Sequence, residues 1–494
     1  MFFKKNARNG NASTPTILQQ FKQSNDFLTF ENKIGTVSYF ISYYKSLIDV
    51  EVLHRDILPY ITESTLRNLE DLSLAIPCEN KIISNDIQEI SSHVLTGSIM
   101  IYLNKDKPKQ FILVQAQKNE ARQISAPEVE FSVIGPKEAF VESMDTNINL
   151  IRKRVPSPNL QVTNLQVGKI SKTQVAVLHI DEIANKENVN TVIQRIGDLE
   201  FDQIIDSSYL TQMIADNHHS PFPVLLDTER PDRAAAVLAE GKVVIVVDGS
   251  PHALIGPTTL IEYFAAFEDY FLNPHIASAF RLIRVFSVAF SLLMTPIYVA
   301  ILTHHFELLP KDLMSTLVSS RTLVPFPPFL EALVLELVIE LLREAGARLP
   351  TKVGQTIGIV GGIVIGTASV EAGLTSNVLL IIIALAALAS FTTPVYQMGN
   401  TIRLLRFPFL LFAHVWGLVG IVLCFSFFLT HLLRLTSLGR PYLEPIYPPR
   451  AADLKDSFIR MAFARQSKRP IVVQTEKIQR FSQDKAFKNK DIDE

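Results

Sequence analysis

The chain has 494 residues, 48% of them apolar, with 47 basic and 49 acidic side chains and a formal net charge of −2. That balance excludes the basic domain by which a nucleic-acid binder holds phosphate. Two cysteines, Cys78 and Cys424, exclude a disulfide framework and a cysteine metal centre, and are expected as free thiols, which fits a reducing compartment. The averages hide a division, because residues 1–275 are rich in Lys, Glu, Asp, Asn and Gln while 283–433 hold long runs almost free of charge.

In chain order, residues 1–25 read as a disordered leader, polar and aperiodic, without the apolar core or cleavage site of a signal peptide. The stretch VSYFISYYKSLIDVEVLHRDILPYI (37–61) places apolar residues at helical spacing, predicting a helix. GSIMIYL (97–103) and QFILVQA (110–116) predict a strand pair around the polar turn NKDKPK. The Pro-rich stretch RVPSPNL (154–160) marks a seam between two soluble subdomains. Beyond it, TQVAVLHID (173–181), FPVLLD (222–227) and KVVIVVD (242–248) predict strands, with a helix near 185–197. PDRAAAVLAE predicts another helix, with Pro231 suited to its first turn and Gly241 to its stop.

The composition then changes. Residues 283–303, 355–374, 377–396 and 408–433 are each long and apolar enough to cross a bilayer. Arg281 and Arg284 flank the first span and place the preceding soluble region on the cytosolic side. Gly354, Gly358, Gly362 and Gly366 recur every four residues within the second. Each would cost a soluble helix about 1 kcal/mol against alanine. In lipid the same row offers a flat strip for close helix packing. A phosphate loop is excluded there, since the lysine-serine ending is absent. The tail, 434–494, is polar and mildly basic, with part of it expected to be loosely ordered.

Residues 326–344 (FPPFLEALVLELVIELLRE) have the length of a span but carry Glu331, Glu336, Glu340 and Glu344. At 100° per residue the last three form one stripe beside Arg343. Glu331 lies elsewhere, in the first turn after Pro327 and Pro328, where the helix dipole favours a carboxylate. Three placements fit: flat at the interface, re-entrant, or crossing with the acidic stripe facing water inside an oligomer. Carboxylates at membrane depth face a protein interior or a water path, and a ring of them favours cations. If this segment spans, five crossings result and the tail lies outside; if not, four result and both ends lie inside.

Other polar groups have ordinary explanations. The pairs His218-His219 and His304-His305 lack ligand-spaced partners, so no metal site is expected. Asp227, Glu229, Asp232 and Asp248 come without a nucleophile motif, and suit strand ends and helix starts better than catalysis. Glu371 fits either an interfacial acid or an ion path. The residues therefore predict a multi-domain membrane protein: a leader (1–25), soluble α/β subdomains at 26–153 and 154–275, a transmembrane helical domain of four to five spans at 276–433, and a polar tail (434–494). No enzyme activity and no cofactor are expected.

TERPDRAAAVLAEGKVVIVVDGSPHALIGPTT, FEDYF and LEALVLELVIELLREAGARLPTKVGQTIGIVGGIVIGTASVEAGL together resemble the A subunit of GerA-type spore germinant receptors. IGPKEAFVESMDTNINLIRKRV also resembles that family, and the resemblance covers about residues 30–460. One departure is that Val133 and Ile134 precede Gly135 where the family commonly has an arginine-glycine pair. The resemblance implies a spore inner-membrane protein with a cytosolic two-part α/β module. It implies a transporter-like B subunit and a lipoprotein C subunit as partners, contact with membrane lipid, and a homo-oligomer acting as a nutrient-gated cation channel. On it, Glu336, Glu340 and Glu344 are the candidate ion-path residues, and the glycine row the packing contact. The competing expectation is a non-conducting scaffold for the transporter-like partner.

Overall fold

The computed structural model describes residues 14–482 apart from 36, 79, 104–109, 119–126, 128–129, 131, 350–361, 363–365, 451–452 and 454–456. The chain divides into an α/β unit, comprising residues up to 218, 225–257 and 463 onward, and a helical unit comprising 219–224 and 258–462.

The α/β unit contains two sheets. In the first, β1 (Phe27–Ile34), β2 (Val37–Tyr44), β3 (Lys81–Ser84), β4 (Ser98–Leu103) and β5 (Phe111–Gln115) lie in the order β1-β2-β4-β5-β3, antiparallel throughout. Successive strand side chains point to opposite faces, and both faces are covered. Tyr39, Ile41 and Tyr43 of β2 join one core with Ile99, Ile101 and Val114. Phe40 and Tyr44 join the other with Met100, Phe111 and Leu113. This corrects the helix expected over 37–61. A strand buried on both faces has no polar face, so its apolar run carries no period-2 signal. Helical geometry begins only after Asp49, whose carboxylate accepts from the Glu51 N–H at 2.9 Å.

Helix α1 (Thr14–Phe21) corrects the disordered leader from Thr14 onward. Its Ile17, Leu18 and Phe21 fill the second core with Ile90 and Val94, while α2 (Leu69–Ala75) covers the first. Ile90 and Val94 belong to α3 (Ile87–Leu95). A short apolar triplet in a polar segment has too little periodicity to be recognised, yet it buries fully once a sheet face is offered.

The second sheet orders β6 (Leu160–Val167), β7 (Thr173–Ile180), β8 (Leu226–Thr228), β9 (Val243–Val247) and β10 (Ala253–Gly256) as β6-β7-β9-β10-β8. Its pairing is also antiparallel throughout, and its connectivity repeats that of the first sheet. Every residue of β9 is buried, the continuous run of a central strand. Helices α4 (Met144–Arg154), α5 (Lys186–Gly197), α6 (Ser207–Ile214) and α7 (Pro231–Ala239) belong to this half. Ser143, Asn185 and Asp206 cap the first three by accepting a backbone N–H from the first turn. The strand expected over 222–227 is corrected to three residues. Pro221 and Pro223 lack the N–H a ladder needs, and residues 219–224 belong to the helical unit.

A buried ion pair joins the two halves of the α/β unit. Arg152 of α4 grips Asp26, just before β1, with Nε to Oδ2 at 2.7 Å and Nη2 to Oδ1 at 2.6 Å. Ser24 and Ser46 hydroxyls donate to the same carboxylate at 2.6 and 2.8 Å, and the guanidinium lies 4.2 Å from the centre of the Tyr44 ring. The Asn25 N–H donates to Val162 of β6 at 2.9 Å, and the Val162 N–H donates to the Ser24 hydroxyl at 3.1 Å.

The tail is not a separate body. Residues 463–482 belong to the α/β unit, where Asn188 of α5 donates to the Val473 carbonyl at 3.1 Å and the Glu476 N–H donates to Ile183 at 3.1 Å. This part of the expected loose tail is packed because its polar backbone finds partners on α5 and the turn before it.

The helical unit contains α8 (Pro274–His304), α9 (Lys311–Arg321), α10 (Pro328–Arg348), α11 (Asn377–Ser390) and α12 (Tyr396–Arg434). Among the described residues, helices α8 and α12 are the two that are long and apolar enough to cross a membrane by length and composition. The chain enters and leaves this unit at one end: the Thr258 N–H donates to the Ser437 hydroxyl at 3.0 Å, and the Leu260 N–H to the Tyr442 carbonyl at 2.9 Å. Helix α12 corrects the single span expected over 408–433. Gly417 has φ +62° and ψ −140°, and the helix doubles back there. Phe409 and Phe428 accordingly stack with centroids 5.7 Å apart, although 19 residues of straight helix would separate them by about 28 Å. The apolar run 377–396 yields only a 14-residue helix, about 21 Å long.

Removing one partner of a buried pair strands the other's charge. Arg152→Ala should therefore lower the stability of the α/β unit by about 3–5 kcal/mol. Lys45→Ala, which breaks the exposed pair with Asp145, should cost less than about 1 kcal/mol. Thermal melting of the two full-length variants checks the contrast.

Candidate functional site

Helix α10 is inverted relative to a soluble amphipathic helix. Its carboxylates Glu331 and Glu336 are buried with Ala332 and Leu335, while Leu330, Val334, Leu337 and Leu341 are exposed, the last by 69%. The buried acids are tolerable only because each is paired and hydrogen-bonded.

The partners form layers along the helix. The Glu331 Oε1 atom accepts from the Ser376 N–H at 2.6 Å and the Thr375 hydroxyl at 3.1 Å, and Oε2 lies 2.9 Å from Arg321 Nη1 on α9. Ser376 in turn caps α11 and meets the Tyr298 hydroxyl at 3.3 Å. Glu336 forms a close ion pair with Arg406 of α12 and accepts from the Thr295 hydroxyl of α8 at 3.0 Å. Arg406 also donates to the Ser291 hydroxyl at 2.8 Å. These side chains are sealed, with Glu336 1% and Arg406 2% exposed. Glu340 lies between two guanidiniums, 3.2 Å from Arg343 Nη1 and 3.7 Å from Arg403 Nε. Glu344 pairs with Arg348 on the surface.

The hairpin turn of α12 lies beside the C-terminus of α8. A Cβ at Gly417 would stand 2.7 Å from His305 Nε2 and 2.9 Å from His304 Cβ, so only glycine fits both the space and the φ. Breaking the helix there releases carbonyls of its last turn. His304 Nε2 donates to one of them, that of His414, at 2.7 Å. The His414 ring stacks on Phe329 at 4.4 Å. The His304-His305 pair thus serves a helix reversal, as local structure rather than a ligand set would require.

The expected water-facing position of Glu336 is corrected, because it is buried against Arg406. Glu340 is partly exposed and Glu344 is exposed. Arg321, Arg403 and Arg406 complete the layers and were not singled out from the sequence. The available signal was the Arg403–Arg406 spacing of three, one helical turn, opposite acids spaced by four. In the glycine row, Gly354 and Gly358 lie outside the described residues. Among the described residues Gly362 has no atom within 4 Å of its Cβ position, and Gly366 only Leu380 Cδ2 at 3.7 Å. Ala386, by contrast, is fully buried.

The acids singled out in the α/β unit serve separate structural roles. Asp232 pairs with Arg230 at 2.7 Å, and Asp248 accepts from the Met144 N–H at 3.1 Å. Asp227 and Glu229 flank His252 at 3.6 and 3.9 Å. Burial pushes the Asp227 carboxyl up to about 6, against the opposing pull of His252. Among the described residues no group of three or more His, Cys, Asp or Glu could hold a metal ion.

A two-sheet α/β unit joined in one chain to an apolar helical unit with buried, arginine-paired acids defines the class: a multi-domain protein with an α/β part and a helical part holding two candidate membrane spans among the described residues. Residues 15–472 match the model of the Bacillus/Clostridium GerA spore germination protein family, and the chain belongs to that family. It is 52% identical over 478 residues to the spore germination protein GerQA of Bacillus cereus, covering 97% of this chain and 96% of the relative. It is 49% identical to GerIA of the same organism, covering 91% and 67%. The crystal structure of the N-terminal domain of the A subunit of the Bacillus megaterium spore germinant receptor GerK3 is 27% identical, covers 49% of this chain and 92% of that one, and has a TM-score of 0.38.

Two outcomes test this geometry. Glu336→Gln and Arg406→Gln should each destabilise the helical unit by about 3–5 kcal/mol, the charge-swapped double variant should recover part of that loss, and Glu344→Gln should be near neutral; melting in detergent measures all four. Asp227 has a folded pKa above its unfolded value, so its favourable contribution is complete below about pH 4 and is lost as pH rises through about 6. Asp227→Asn should therefore gain stability relative to wild type at pH 7.5 compared with pH 4.5, by at most about 3 kcal/mol. Melting at the two pH values gives the difference.

Proposed function

We propose that this chain is the A subunit of a nutrient germinant receptor, a membrane protein that oligomerises and converts nutrient sensing into cation release at the start of germination. It acts with a transporter-like B subunit and a lipoprotein C subunit. Its helical unit lies in the spore inner membrane and its α/β unit in the cytosol. The observation that carries the reading is the inverted helix α10. Exposed leucines around buried, paired acids suit a helix whose surroundings are lipid or another apolar helix, and oppose one facing water.

The tail refines the topology. Residues up to 218, residues 225–257 and residues 463–482 share one folded unit, so a unit on one side of a membrane requires an even number of crossings. This favours an even count over five and puts the tail with the α/β unit.

The pairing of the acidic stripe describes a closed state. Every glutamate of α10 has an arginine partner within the chain, so the stripe attracts few cations until pairs separate. Glu340 and Glu344 are the groups with access to water. Gly362, with no described residue packed against it, is a contact for a second copy. The same complete pairing favours the second reading, a scaffold whose acids only hold helices together while another subunit conducts.

Germinating spores separate these. Glu340→Gln should shift the threshold or rate of cation release with assembly intact, whereas unchanged release from an assembled Glu340→Gln, Glu344→Gln double variant would favour the scaffold. Gly362→Leu should impair oligomer formation and leave the single chain folded, whereas Ala386→Leu should destabilise the chain itself; native gels and melting distinguish the two effects.

A further inference from the structure

At the end of the helical bundle where the chain enters and leaves, positive charge exceeds negative charge. Glu340 lies between Arg343 and Arg403, one carboxylate for two guanidiniums. The other charges facing Arg343 are Glu336 and Arg406, which neutralise each other. The layer therefore carries one uncompensated positive charge.

Its donors are not all satisfied. The Arg403 Nε to Glu340 distance of 3.7 Å is beyond hydrogen-bond reach. Among the described residues the buried Nε of Arg343 has no hydrogen-bond partner, and neither has the buried hydroxyl of Thr393. The two arginines are held apart by other contacts. Arg343 donates to the Ser390 hydroxyl at 3.3 Å and stacks 4.9 Å from the centre of the Phe391 ring, and Arg403 donates to Asn400. A Cβ at Gly399 would lie 3.6 Å from Arg403 Nη1 and 3.9 Å from Thr393 Cβ, so Thr393 lies close to the Arg403 guanidinium. Helix α12 starts beside it with no side-chain cap and no acid in its first turn. On the same helices and the turn between them, Leu388, Phe391, Tyr396 and Leu404 are exposed apolar or aromatic side chains.

We propose that Arg343 and Arg403 bind the phosphate of an anionic phospholipid headgroup, with these exposed side chains against its acyl chains. Phosphate matches the forked geometry of two guanidiniums, and basic recesses between helices at the cytoplasmic side hold such headgroups. Glu340 competes with the lipid for the same arginines. The lipid therefore weakens the Glu340 pairs and frees a carboxylate on α10. This rests on the membrane placement proposed above.

The test is lipid retention. Full-length protein is reconstituted in vesicles of equal phosphatidylglycerol and phosphatidylcholine, extracted in mild detergent, and its bound lipid weighed by native mass spectrometry. Wild type should hold phosphatidylglycerol over phosphatidylcholine by about fivefold or more, the contribution of one arginine near a surface. Arg403→Gln should fall toward parity, Arg348→Gln should not change, and Glu340→Gln should raise the preference by removing the competitor. A merely structural role for Glu340 would lower retention instead. Parity in wild type, an unchanged preference in Arg403→Gln, or a loss in Glu340→Gln overturns the proposal. If inorganic phosphate abolishes the preference and stabilises lipid-free protein equally, the site takes a free anion and the lipid assignment is wrong. Failure of the protein to stay with alkali-washed membranes would instead overturn the membrane placement.

Discussion

The helical unit depends on neutralising carboxylates away from water. An unpaired buried carboxylate costs several kcal/mol, and fixed guanidiniums with hydroxyl donors are what make it tolerable. Glu331, Glu336 and Glu340 set the position of α10, because each must meet Arg321, Arg406 or the Arg343–Arg403 pair. Satisfying all three at once fixes the rotation of α10 and its antiparallel run against α8 and the first arm of α12. Ser291 and Thr295 complete the hydrogen bonds from α8. The exposed apolar stripe of Leu330, Val334, Leu337 and Leu341 follows, since the polar side is already committed inward.

The α/β unit applies the same physics in another setting. Asp26 and Arg152 form a forked pair with two serine hydroxyls on the carboxylate, sealed where the two sheets' halves meet. The two sheets repeat one strand order, so each half is a similar scaffold, and the ion pair specifies how one is joined to the other. Residues 463–482 return to this unit after the entire helical unit has intervened.

Several elements were legible because a single local rule governs them. The β4 and β5 runs carry strand signals around a polar turn, Val243–Val247 is a continuous β-branched run, and Pro231 and Gly241 bracket α7. Others were hidden by a missing contrast. Strand β2 has cores on both faces, so alternation vanishes. Helix α1 presents three apolar anchors in a polar segment. The reversal of α12 rests on Gly417, with Gly420 pressed against the Phe412 backbone, within a run whose hydropathy is uninterrupted. Pairing was the least legible feature of the site. The acids of α10 could be placed on one stripe from helical geometry, but nothing local states that Arg406, seventy residues on, meets Glu336.

The sequence by itself determined that a polar α/β region precedes a long apolar helical one, that an acidic helix lies among the apolar segments, and that the chain resembles the germinant receptor A subunits. These follow from composition and short-range periodicity, which need no knowledge of distant neighbours. Only the tertiary structure decided that Glu336 is sealed against Arg406, that α12 folds back on itself, and that residues 463–482 rejoin the α/β unit. Each depends on long-range contacts, whose energies come from burial and charge pairing between residues that the linear order keeps far apart.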